Sequence, residues 1–240
     1  ALVQTNSRGE TLVYLRNAGE RQVGIFLDGA PLAVPWDHRI DLALIPALMI
    51  QELSVARGPL SNRYGPNVSG GAVFVRTASP RAGSSLQLRS EIGEAGSQRL
   101  QGLTRFSSEN GGVVISAERN DWEGEPLAPN AELPFSQQGE LRSNSDRARR
   151  SVFLKTESEF GNWALSLSGL HGRTVAGVIT ESHLDPEQTP PRYWRTPDSE
   201  FSMLVANAEG RLGPDWTLNV TSWLQRFNQD IESYASEAFQ

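Results

Sequence analysis

From Ser84 to the C-terminal end, apolar and polar residues alternate with a period of two, a pattern that suits half-buried extended strands. Leu86, Leu88 and Ile92 alternate with Gln87, Arg89 and Glu91; Leu100, Gly102, Thr104 and Phe106 alternate with Arg99, Gln101 and Arg105. The same phase returns over 113–117, 152–156, 163–167, 204–208 and 216–224, giving seven candidate strands. Most are long enough for the roughly 9–11 residues of a tilted membrane-spanning strand. Their connections differ in kind. Asn110-Gly111-Gly112, Phe160-Gly161-Asn162 and Gly213-Pro214-Asp215 are tight hairpin signals, whereas 121–147 and 176–199 are long and polar. The 93–97 link is the exception, being short on the side where long loops are expected.

Short turns at one end and long loops at the other are the asymmetry of an outer-membrane barrel. No apolar run approaches the roughly 18–20 residues of a spanning helix. The mean hydropathy of −0.40 is compatible with a barrel, because its strands face lipid on one side only. Trp163 and Trp216 each follow a short turn, in phase with the apolar face, as an interfacial aromatic girdle requires; a soluble sandwich would bury them. Seven strands leave an open edge, which lipid penalises by several kcal/mol for each unpaired backbone group. The polar inward face suits a wide lumen holding something else, and plugged lumens belong to barrels of about 22 strands. The net charge of −6 argues against a nucleic-acid surface, and the lack of cysteine removes disulfides and thiolate metal sites.

The first 80 residues read differently. TLVYLR (11–16) and VGIFLD (23–28) are short strands separated by a turn over 17–21. The stretch 41–49 has helical apolar spacing broken by Pro46, so it is a short helix at best. Two more strands lie over 52–56 and 72–76. Between them runs an ordered series: Arg57-Gly58-Pro59, Tyr64-Gly65, Gly70-Gly71, then Ala72-Val73-Phe74-Val75 and Thr77. Upstream, Asp28-Gly29 closes another strand. Together these resemble the plug domain of TonB-dependent outer-membrane receptors. The resemblance covers residues 1–80 and is most specific over 57–77; the barrel half matches in style. The expected fold is mainly β: a small α+β plug domain (1–80), then antiparallel strands of an incomplete transmembrane β-barrel (81–240).

The resemblance implies a receptor that binds a scarce large solute at the cell surface. The inner-membrane TonB complex then opens a path by pulling on a segment ahead of the plug. Ferric siderophore or another metal chelate is the foremost cargo class; cobalamin, glycans and peptides stay open. In such receptors cargo meets apical plug loops, which by position are Arg8, Glu20, Arg21, Trp36, Asp37 and His38 here. Trp36-Asp37-His38-Arg39 offers a stacking surface with both charge signs, or is simply a polar loop with an anchoring tryptophan. Trp122, Tyr193, Trp194 and Arg195 are barrel-loop candidates. The resemblance also makes Arg16 and Arg57 locks between plug and barrel, paired with carboxylates on later strands, although Asn17 stands where the family usually has glycine; otherwise both are surface arginines. Asp28, Gly29, Gly58, Pro59, Tyr64, Gly65, Gly70 and Gly71 are turn and packing positions rather than ligand contacts.

No catalytic, cofactor or metal site is expected. His38, His171 and His183 lack the spacing of a zinc site, no nucleophile elbow is present, and Asp121 to Glu125 lacks EF-hand spacing. The abrupt start suggests an internal piece of a longer chain, and outward sequencing would test this. Two rivals remain: a passive or structural outer-membrane barrel, and a soluble all-β envelope module. Lipid-borne quenching of Trp163 and Trp216 would oppose the soluble reading.

Overall fold

The computed structural model describes residues 1–239 apart from 7, 17, 61–63, 129 and 131–139. Asn17 of the expected turn and the middle of the first long loop therefore lie outside the described residues. Strands β1 (Leu2–Thr5) and β2 (Thr11–Tyr14) form an antiparallel pair. Four more, β3 (Val23–Leu27), β4 (Ala30–Pro31), β5 (Ile50–Arg57) and β6 (Gly71–Thr77), form a mixed sheet in the order β4-β3-β6-β5. Its centre is the parallel pair β3–β6, from Val23 opposite Gly71 to Leu27 opposite Val75. Over this pairing both strands carry only glycine and apolar residues, as a two-sided central strand should. Strands β1 and β4 were not expected; β1 is exposed along its whole length, so burial left little pattern in its sequence. The stretch 41–49 forms two 3₁₀ turns, Leu42–Leu44 and Ala47–Met49, on either side of Pro46.

Another 3₁₀ turn, Pro80–Ala82, leads into an antiparallel wall of seven strands. These are β7 (Ser85–Ile92), β8 (Gln98–Ser108), β9 (Gly111–Trp122), β10 (Arg147–Phe160), β11 (Trp163–Gly177), β12 (Tyr193–Arg211) and β13 (Thr217–Tyr234). Each pairs with its chain neighbours. The β8–β9, β10–β11 and β12–β13 turns share one end, and the β9–β10 and β11–β12 loops the other. Leu86, Leu88, Leu100, Phe106, Val152, Leu154, Leu204 and Leu224 are exposed along the outward face. Trp163 and Trp216 lie at the short-turn end in the same phase. The Trp163 ring covers Gly210 opposite, where a Cβ would come within 2.4 Å of it.

The inward face departs from the sequence expectation. It is polar only in part: Leu103, Val114, Phe153, Leu170, Phe201, Met203 and Val205 are all buried there. They pack with Leu15, Val23, Leu27, Leu32, Ile40, Met49 and Val75 in one hydrophobic cluster shared by the small sheet and the wall. The reason is that the plug-like sheet covers the inward face, so apolar residues are buried there while the outward face is apolar as well. The sequence signal was the unbroken apolar runs Val113-Val114-Ile115 and Val152-Phe153-Leu154.

The glycine series has a packing reason. Gly71 has φ +131°, and a Cβ there would stand 2.3 Å from the Ala56 carbonyl oxygen. At Gly70 a Cβ would meet the Ala18 Cβ at 2.3 Å. Tyr64 closes an aromatic cluster with Phe26 and Phe74, at ring-centroid distances of 5.6 and 5.3 Å, on the other face of the sheet. Replacing Gly71 by alanine should strain the backbone and part β5 from β6, costing about 1–3 kcal/mol. Protease accessibility of residues 50–77 should then rise; an unchanged cleavage pattern would contradict this packing.

Candidate functional site

Two polar assemblies join the plug-like sheet to the wall. The first lies midway, where Asp28 and Gly29 turn the chain between β3 and β4. Both have positive φ, +47° and +89°, as a two-residue turn of the Asp-Gly kind needs. This conformation leaves the Asp28 carboxylate buried. It accepts from the Thr77 N–H at 2.9 Å and the Thr77 hydroxyl at 2.6 Å. From β10, Lys155 donates to the Thr77 hydroxyl at 3.0 Å and lies 3.5 Å from Asp28 and 3.1 Å from Glu157. Asn207 of β12 donates to the Asp28 carbonyl at 3.2 Å. Toward the short turns, the Ser79 hydroxyl donates to Glu157 at 2.7 Å, and Arg81 pairs with Glu157 and Glu159. Asp28 was expected as a turn residue; its carboxylate also bridges two layers.

The second assembly lies toward the long loops. Val34 and Arg39 close a tight turn carrying Trp36, Asp37 and His38, and His38 has φ +56°. Asp37 is held between Arg21 and Arg39, the latter at 2.8 Å, and Arg39 lies 3.5 Å from Glu10. Glu20 stands beside Tyr14, whose phenol pKa is raised by burial and then by that carboxylate. The exposed Trp36 ring meets Phe227 of β13 edge-on at 5.2 Å. Arg8 lines a small cavity of about 50 Å³ between the two layers, with Glu10, Arg39, Asp41, Arg149 and Trp194. The structure therefore brings together Glu20, Arg21 and Asp37, sets Trp36 and His38 at the surface beside them, and places Arg8 with Glu10 at the small cavity.

Sequence reasoning missed Asp41, Arg147 and Arg149. Asp41 accepts from the Thr11 N–H and from Arg149, both at 2.8 Å. Arg147 and Arg149 donate to the Gly9 carbonyl at 3.1 and 2.9 Å, and Arg147 stacks under Trp122 at 5.2 Å. The alternate spacing of the two arginines on β10 was the available signal, since it places both on the inward face. Of the loop candidates, Arg195 pairs with Asp146 at 2.6 Å and Trp194 lies under Arg192. Arg16 and Arg57 are exposed, and among the described residues neither enters an ion pair; Arg16 lies beside Gly58. Among the described residues no group of histidines and carboxylates is placed to hold a metal.

A family model described as the TonB-dependent receptor plug domain matches residues 1–72. A vitamin B12 transporter, BtuB of Vibrio vulnificus, is 24% identical over 200 residues, covering 76% of this chain and 31% of the transporter. The FrpB iron transporter of Neisseria meningitidis superposes with a TM-score of 0.67 at 18% identity, over 90% of this chain and 34% of that one. The copper transporter OprC gives 0.70 at 14% identity, over 93% and 32%. The ferric yersiniabactin receptor FyuA of Yersinia pestis gives 0.65 at 16%, over 96% and 37%. The chain thus spans about a third of the length of these relatives.

Removing the Lys155 charge with Lys155→Met should leave Asp28 and Glu157 buried without it, at a cost of about 3–5 kcal/mol. Adding Asp28→Asn should recover part of that loss in urea unfolding; strictly additive losses would show the two are not coupled. A second prediction concerns the β11–β12 loop. Burial pushes the Glu181 pKa up, but hydrogen bonds from the Arg192 backbone and guanidinium outweigh it and hold the carboxyl below its ordinary value. A depressed folded pKa stabilises above the unfolded value of about 4.3 and is lost as pH falls through the folded one. Amide exchange in 181–192 should therefore speed up below about pH 4, beyond the intrinsic pH dependence, and Glu181→Gln should abolish that excess.

Proposed function

We propose that this TonB-dependent receptor plug domain, with the part of the receptor barrel that follows it in the bacterial outer membrane, serves energy-coupled uptake of a ferric siderophore or another metal chelate. The observation that carries this reading is the apex itself: a plug turn exposing Trp36 and His38 beside the Arg21–Asp37–Arg39 network, facing the long loops. Iron, copper and cobalamin transport in the similar proteins supports a metal chelate without choosing among them. In this reading residues 1–80 are the plug and 81–240 the wall. Arg8, Glu20, Arg21, Trp36, Asp37 and His38 receive cargo. Trp36 offers the face not covered by Phe227, and Arg8 supplies a cation outside the ion-paired network. Arg16 and Arg57 secure the plug against wall beyond these seven strands. The inner-membrane TonB complex supplies the pull, and no step is enzymatic.

Cells carrying the receptor should take up one labelled chelate from a panel of ferric, copper and cobalt complexes, and an uncoupler should stop uptake while leaving surface binding intact. Uptake that persists with the uncoupler would mean a passive barrel. Trp36→Ala should weaken binding of that chelate about tenfold, roughly 1.4 kcal/mol, without changing receptor abundance.

A further inference from the structure

On the outward face, Arg119 of β9 stands directly opposite Arg150 of β10, and Arg150 directly opposite Arg173 of β11. Like charges in directly opposed positions repel and weaken a sheet. The outer two have carboxylates nearby: Arg119 pairs with Asp121, and Arg173 lies 2.7 Å from Asp198 and 3.9 Å from Glu200, which stands opposite it on β12. Arg150, between them, has no ion pair or hydrogen bond among the described residues, so the centre of the row is an exposed, uncompensated cation. Its height matters. Ten residues separate Arg150 from Phe160 at the short-turn end of β10. At about 3.3 Å per residue and a tilt of about 40°, that is about 25 Å, the height of a barrel's apolar band. The row therefore lies at headgroup level on the long-loop side.

Directly beside the row, the same face carries a shallow apolar groove of about 530 Å³. Gly102 stands opposite Ala117, and these small residues form its floor. Leu88, Leu100 and Val152 form its walls, and Arg119, Arg150 and Arg173 its rim. An apolar groove that ends in three aligned guanidiniums matches an amphiphile with an anionic head. We propose that this is a binding site for a phosphorylated lipid of the outer leaflet, with its phosphate across Arg119, Arg150 and Arg173 and an acyl chain in the groove. A free phosphate would leave the groove unused, and a zwitterionic lipid would leave the repulsion within the row largely unrelieved.

The test uses the receptor purified from outer membranes, stripped of lipid in detergent and titrated with diphosphorylated lipid A, with binding read by native mass spectrometry. Lipid A should bind at least tenfold more tightly than phosphatidylcholine. Arg150→Gln should remove most of that preference, whereas Arg211→Gln, at the short-turn end, should keep it. Ala117→Trp, which fills the groove, should weaken lipid A binding with all three arginines present. Heat-modified gel mobility would show that each variant is folded. Equal preference in wild type and Arg150→Gln, or an equal loss with Arg211→Gln, would overturn the site. Displacement of lipid A by millimolar inorganic phosphate would also overturn it, since the phosphate alone would then suffice.

Discussion

The seven-stranded wall has no core of its own. One face is committed to lipid, so its inward apolar residues can be buried only by whatever fills the space inside. The small mixed sheet and the segments around it do this, and Phe153, Phe201 and Val205 from the wall join Leu27 from the sheet, Leu15 after β2 and Met49 from a 3₁₀ turn in a single cluster. Neither layer would hide its apolar surface without the other. The polar contacts between them refine this burial: Asp28, Thr77 and Lys155 meet at its margin, where each can find a partner.

Much of this was legible in the sequence, for identifiable reasons. Strict alternation revealed all seven wall strands, because an outward face in lipid tolerates few polar residues. The Asp28-Gly29 turn and the glycine series were legible because a positive φ or a blocked Cβ leaves few substitutes. The inward apolar band was misread, since Val114 and Phe153 sit next to outward Ile115 and Leu154 and alternation was sought where both phases were apolar. The partnership of Asp28 with Lys155 was not legible at all. Each looked like an ordinary strand-end or lumen charge, and nothing local links two residues so far apart in the chain.

The apex shows the same division. Position in the resemblance and side-chain chemistry singled out Trp36, Asp37 and His38, and the structure sets them in one turn with Trp36 and His38 exposed. It could not show that Asp37 is already shared by two arginines, or that Trp36 leans on Phe227. Such pairing fixes the turn in place and leaves its aromatic and imidazole groups as the free chemistry at that surface. Arg149 and Asp41, silent in the sequence, tie the base of the same region to the wall.

The parallel pairing of β3 with β6 has a mechanical consequence. Consider tension applied at Leu2, with the wall beyond Thr77 as the anchor. The β1–β2 hairpin has its two free ends side by side, so such a load opens it one hydrogen-bonded pair at a time, like a zip. Strands β3 and β6 run in the same direction, and the load enters β3 at Val23 and leaves β6 at Thr77, at opposite ends of the pair. Their hydrogen bonds are then sheared together and must fail together. Residues before Tyr14 yield to a small force, and the central pair resists until a much larger one.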